Sequence, residues 1–144
     1  MKNKINDLLV LLTITAILCS CQIDPDPVLP VPTIKNLEVG LNNNEVGIIG
    51  RDFHLNADIV AGNQIDLVQV KIEPISGENY AKSWRFVLSW EEYKGAKSTN
   101  VHEHFDIPID AIEGRYDFLL LVSDENGTMI EEKRSITIYA QDQL

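Results

Sequence analysis

The chain has 144 residues and a formal net charge of −10, from 22 acidic and 12 basic side chains. This excess of acid argues against nucleic-acid binding, because phosphates are neutralised by Lys and Arg side chains. The length suits one domain of ordinary size with a real hydrophobic core.

The N-terminus has the pattern of a bacterial lipoprotein signal. Two lysines precede an apolar run over residues 8–18, which is too short to span a bilayer as a mature helix. Cys21 follows a leucine at position −3 and a serine at −1, so residues 1–20 are predicted to be a cleaved signal peptide. Cys21 is then the lipidated residue, and since Cys19 leaves with the signal, no disulfide is expected.

Residues 21–32 contain four prolines and show no helical or strand period. This composition predicts an extended, semi-rigid tether between the lipid and a folded domain over residues 33–144. We therefore predict a protein of the bacterial cell envelope, held at the outer membrane by its lipid anchor.

From Thr33 onward, short alternating segments are separated by turn signals, which is typical of an all-β fold. The strands are expected at about residues 34–41, 53–59, 68–72, 84–90, 101–107, 116–122 and 136–138. About seven strands in this length predict an immunoglobulin-like, or fibronectin-III-like, antiparallel β-sandwich. Tyr116, at the start of the sixth strand, is placed to form a tyrosine corner.

The chain has three histidines, and all three lie on predicted strands. His102 and His104 are two residues apart, so they project from the same face of the fifth strand. The apolar residues that alternate with His54, His102 and His104 define the core side, so the imidazoles should face outward. Because the second and fifth strands are neighbours in the fibronectin-like topology, all three are expected on one outer face.

Imidazole and carboxylate groups together suit a transition-metal ion such as Zn²⁺ or Cu²⁺. Cross-strand neighbours lie about 5 Å apart, so a metal ion could bind side chains of both strands. We predict a metal site at the three histidines, with Asp52, Asp58 and Asp106 as candidate oxygen ligands. The alternative is an ordinary polar sheet face, because a one-residue change of register moves every side chain to the other face.

A second candidate site is aromatic. Trp90 and Tyr93 lie at the end of the fourth strand and in the loop after it, where aromatic rings can contact a sugar or a protein. The alternative is that they belong to the core.

The sequence contains no phosphate-binding loop, no Gly-x-Ser-x-Gly motif and no cysteine left free to act as a nucleophile, so an enzyme is not expected. The leading prediction is a non-enzymatic binding module that captures a metal ion. The alternatives are a module for a glycan or an envelope protein, and a structural spacer without metal.

The order of the motifs also resembles a known family. The motifs are Gly50-Arg51-Asp52-Phe53-His54, Trp84, the run from Val101 to Pro108, Gly114-x-Tyr116 and Asp124-x-x-Gly127. They resemble the domain-of-unknown-function 4625 family of Bacteroidetes lipoproteins over about residues 33–139, and His-x-His-x-Asp-Ile-Pro is the most distinctive element. The resemblance implies a small immunoglobulin-like lipoprotein and no established activity.

Overall fold

A computed structural model describes residues 28–141, which form eight strands and no α-helix. The predicted signal peptide, the predicted lipidation site Cys21 and most of the predicted tether lie outside the described residues. The strands are β1 (Thr33–Val39), β2 (Val46–Ile48), β3 (Asp52–Val60), β4 (Ile65–Pro74), β5 (Phe86–Trp90), β6 (Ser98–Asp106), β7 (Gly114–Asp124) and β8 (Met129–Tyr139). Within this part of the chain, no helix is long and apolar enough to cross a membrane.

The strands form two sheets. One has the order β1-β3-β6, and the other has the order β2-β8-β7-β4-β5. All pairs are antiparallel except β2 with β8, which are parallel. The all-β prediction is confirmed, and each of the seven predicted strands overlaps an observed one. The additional strand, β2, has three residues and is too short to show a period.

Alternation of buried and outward-facing side chains on most strands builds the core between the sheets. On β3, the odd-numbered side chains from Phe53 to Ile59 are buried and the even-numbered ones face outward. The ring of Phe53 lies 5.4 Å from that of Phe105 and 5.9 Å from that of Phe118, so it links the two sheets. Each large apolar side chain buried in this way contributes about 1.5–3 kcal/mol.

A β-bulge in β1 reverses which of its side chains face solvent. Between Lys35 and Glu38, β1 advances three residues while β3 advances two. The register shift is accompanied by a φ of 51° at Asn36, a left-handed conformation that asparagine tolerates better than most residues. Beyond the bulge, Leu37 and Val39 enter the core and Glu38 faces outward.

The predicted tyrosine corner is present. The hydroxyl of Tyr116 donates a hydrogen bond of 2.9 Å to the carbonyl oxygen of Ile112, four residues upstream. Burial raises the pKa of Tyr116 to about 12, so the phenol stays a donor across the physiological range. This bond fixes the connection that leads from β6 into β7.

The chain enters the domain through hydrogen bonds at Pro30. Its carbonyl oxygen accepts from the amide of Asn126 at 2.8 Å and from the hydroxyl of Thr128 at 3.0 Å. Gly62 lies so close that a Cβ there would meet this oxygen at 2.2 Å. Since Pro32 is also buried, the last residues of the predicted tether pack onto the domain.

Asp124 organises the same end of the domain. Its side chain is buried, with 2% of the residue exposed. The carboxylate accepts hydrogen bonds from the backbone N–H groups of Asn63 at 2.8 Å and Asn126 at 3.0 Å. Burial acts to raise the pKa of the Asp124 carboxyl, but the backbone hydrogen bonds outweigh it and the pKa falls below its ordinary value.

We expect Asp124→Asn to destabilise the fold at neutral pH and to make its stability less sensitive to acid. Because the folded pKa lies below the unfolded one, the carboxylate stabilises the fold fully above about pH 5, and this contribution is lost as pH falls. Urea unfolding from pH 7 to pH 2 measures this, with the exposed Asp110→Asn as the control. A difference between wild type and Asp124→Asn that stays constant over this range would contradict the argument.

Candidate metal centre

Strands β3 and β6 place the three histidines together on the outer face of the three-stranded sheet. His54 lies directly opposite His104, and His102 is opposite Asn56. One ligand nitrogen from each histidine lies within 4.8 Å of the others. His54 is half-buried, whereas His102 and His104 are exposed. The structure therefore has the outward orientation that strand alternation predicted and the proximity that the expected pairing of the two strands predicted.

The distance between two of these nitrogens has a direct chemical meaning. Nδ1 of His54 lies 3.4 Å from Nε2 of His104. Two nitrogens that bind one tetrahedral Zn²⁺ at about 2.0–2.1 Å are about 3.3 Å from each other. The pair thus has the spacing that a shared metal ion requires, which is also the spacing of a hydrogen bond between the two rings when one of these nitrogens carries a hydrogen.

Asp52 orients His104 from the side away from the cluster. Its Oδ2 lies 2.7 Å from Nδ1 of His104. This partner assigns the ring hydrogen to Nδ1, so Nε2 carries a lone pair directed toward His54. Asp52, predicted as an oxygen ligand, lies instead where a carboxylate supports a metal-binding histidine.

Glu38 has a similar relation to His54, although sequence reasoning did not find it. Its Oε2 lies 3.6 Å from Nε2 of His54, the ring nitrogen that faces away from His104. The His54 side chain is only 13% exposed, while that of Glu38 is 50% exposed. The bulge at Asn36 puts Glu38 on this face, and the one local sign of it is an asparagine, a residue that tolerates a positive φ, in the middle of the strand.

His102 completes the group in a less fixed way. Its ring stands edge-on to that of His54 with a centroid distance of 5.1 Å, and 5.5 Å from the ring of His104. Because the side chain is exposed, it can change rotamer and bring a nitrogen closer to the other two.

The other two predicted oxygen ligands lie elsewhere on the sheet. Asp58 accepts hydrogen bonds from the amides of Asn36 at 2.7 Å and Asn100 at 2.9 Å, and these bonds lower the pKa of its carboxyl. Asp106, at the end of β6, lies opposite Asp52 in the register of the two strands. Neither Asp58 nor Asp106 belongs to the described group of potential ligands within 4.8 Å of one another.

The aromatic candidates for partner contact, Trp90 and Tyr93, both have contacts within the domain. Trp90 is 9% exposed and packs against Phe105 with a ring distance of 6.2 Å. The hydroxyl of Tyr93 donates to the carboxylate of Glu103, and burial together with this acid raises the pKa of Tyr93 to about 12. Trp90 is thus buried in the core, whereas Tyr93 is half-buried at the edge of it, and a contact of Tyr93 with a partner stays a prediction.

Fold and site together define an all-β protein of two sheets with a cluster of three histidines on an exposed face. The chain belongs to the family described as domain of unknown function (DUF4625), whose sequence model matches residues 19–139. No curated protein matches the chain significantly. Since the family description names no activity, a function has to be argued from the site.

Proposed function

We propose that this protein is a non-enzymatic module that captures a transition-metal ion, Zn²⁺ or Cu²⁺, through His54, His102 and His104. The observation that carries the proposal is the 3.4 Å separation of Nδ1 of His54 and Nε2 of His104, with a carboxylate near the other nitrogen of each ring. A neutral imidazole has one ring hydrogen. If both hydrogens face the carboxylates, two lone pairs point at each other, and a cation between them relieves the repulsion.

The exposure of the site favours capture over catalysis. Three neutral imidazoles suit Zn²⁺ and Cu²⁺, and they leave a fourth position on a tetrahedral ion open. His102 and His104 are exposed on the sheet surface. A surface of this kind excludes water poorly, so it allows a metal ion to exchange but does not enclose a substrate.

For the fold, we propose the finer assignment of an immunoglobulin-like, fibronectin-III-like β-sandwich. Its support is the strand order, because β1, β3 and β6 correspond to strands A, B and E, and β8, β7 and β4 correspond to G, F and C. The hydrogen bond from Tyr116 to the backbone, at the connection between the equivalents of strands E and F, is a second support.

For the location, we propose a lipoprotein of the bacterial cell envelope, anchored by Cys21 at the outer membrane. The leucine and serine at positions −3 and −1 before Cys21 support the anchor, and the contacts of Pro30 support a fixed entry of the chain into the domain. Thr33 enters beside Val60, at the end of β3 that is about 20 Å from His54. An anchored domain would thus present its histidines away from the membrane.

Calorimetric titration tests the metal proposal. Zn²⁺ and, separately, Cu²⁺ are added to the chain from Gln22 onward, which contains all eight strands, made without lipid and without a histidine tag. We expect one-to-one binding of micromolar affinity or tighter, and its loss in the His102→Ala/His104→Ala double variant. No binding, or binding that is unchanged in the double variant, would overturn the proposal and leave a module for another partner.

A further inference from the structure

The position of Glu38 depends on a network of hydrogen bonds that spans all three strands of the smaller sheet. Asn36 on β1 and Asn100 on β6 both donate to the carboxylate of Asp58 on β3, at 2.7 and 2.9 Å. Asn100 also donates to the side chain of Asn56 at 3.0 Å. These bonds hold the bulge at Asn36. Because the bulge adds one residue to β1, the side chain of Glu38 faces outward.

Glu38 faces the one nitrogen of His54 that does not face His104. The separation between Oε2 of Glu38 and Nε2 of His54 is 3.6 Å, and half of the Glu38 side chain is exposed. Without metal, the single ring hydrogen of neutral His54 has two competing places. It can lie on Nδ1 and point at His104, or lie on Nε2 and point at Glu38.

A metal ion bound between the rings allows only one of these arrangements. Nδ1 of His54 must give its lone pair to the metal, so the ring hydrogen must be on Nε2. Glu38 is the carboxylate within reach of that hydrogen, just as Asp52 is for Nδ1–H of His104.

We infer that Glu38 is a positioning residue of the metal site. It holds the hydrogen of His54 on Nε2 and so selects Nδ1 as the ligand atom, while Asp52 selects Nε2 of His104. The two histidines thereby bind through different nitrogens, each supported by its own carboxylate. This inference rests on the proposed metal binding and adds a residue to it.

The test compares Glu38→Ala and Glu38→Gln with wild type by calorimetric titration of Zn²⁺. Loss of a carboxylate that supports a metal-binding histidine costs about 10–100-fold in affinity, and we expect this for Glu38→Ala. Glu38→Gln keeps an oxygen that can accept from Nε2–H, so it should recover part of the loss. The control is Glu131→Ala, which removes the same charge from an exposed position on the other sheet.

A second readout is which ring nitrogen of each histidine binds Zn²⁺. A loss of negative charge alone would not change that choice. In the Zn²⁺-loaded protein with ¹⁵N-labelled histidine, we expect coordination through Nδ1 of His54 and Nε2 of His104. Coordination through Nε2 of His54, or a Glu38→Ala affinity within about twofold of wild type, would refute the role of Glu38 while leaving metal capture intact. If wild type binds no Zn²⁺, both proposals fail together.

Discussion

Replacing His104 by alanine is expected to reduce the affinity for Zn²⁺ more than about 100-fold, the upper figure for losing an outer supporting residue. The variant removes a ligand nitrogen that lies 3.4 Å from its partner on His54, and it also leaves Asp52 without its histidine. The fold should be unaffected, because the His104 side chain is 49% exposed and points away from the core. Calorimetry gives the affinity, and thermal unfolding without metal checks the fold.

A double-mutant cycle separates the role of Asp52 from that of a direct ligand. Asp52→Asn alone should weaken binding about 10–100-fold, because the amide holds the ring less firmly than the carboxylate does. In the His104→Ala background, the same substitution should change little, since Asp52 acts through His104. A further large loss there would show that Asp52 binds the metal itself. The matched control is Asp106→Asn, which removes the acid that lies opposite Asp52 on the neighbouring strand.

The histidine cluster could be predicted because its two strands have a strong period of two. Every second residue of β3 from Phe53 to Ile59 is fully or almost fully buried, so the direction of His54 followed from its apolar neighbours. The pairing of β3 with β6 came from the expected topology, and the observed register brings His54 opposite His104. Alternation sets the face, and only the register sets the distance.

Glu38 could not be predicted, because the alternation of β1 is broken at one residue. Continuous pairing from Lys35 would turn Glu38 inward and Leu37 outward, and the extra residue at the bulge reverses both. The bulge is held by a carboxylate on β3 and an amide on β6, which are far away in the sequence. The residues near Glu38 in the sequence do not indicate such distant contacts.

Trp90 shows the opposite case, in which periodicity was the better guide. Trp90 shares one face of the strand with Phe86 and Leu88, which predicted a place in the core. Its position at the strand end suggested a partner contact instead. The ring is buried against Phe105, and its residue pairs with the buried Val68 on β4. Position in a strand is a weaker signal than side-chain parity when the sheet is covered on one face.

Phe53→Ala is expected to lower the free energy of unfolding by about 3–5 kcal/mol, a large part of the stability of a domain of this size. The ring is 1% exposed and lies between Phe105 and Phe118, so its removal leaves a cavity between the two sheets. Urea unfolding followed by tryptophan fluorescence measures the loss. The control is Val60→Ala on the same strand, where the side chain is 49% exposed and the cost should stay within about 0.5 kcal/mol.

Zn²⁺ bound at the histidine cluster is expected to stabilise the fold, because its ligands lie on the paired strands β3 and β6. A metal ion that binds only the folded state adds about 2.7 kcal/mol at a concentration 100 times its dissociation constant. With Zn²⁺ at 100 times the constant measured for each protein, wild type and Phe53→Ala should both gain this amount. At the concentration used for wild type, His104→Ala should gain almost nothing. Equal stabilisation of His104→Ala would mean that Zn²⁺ stabilises the domain from somewhere other than the histidine cluster.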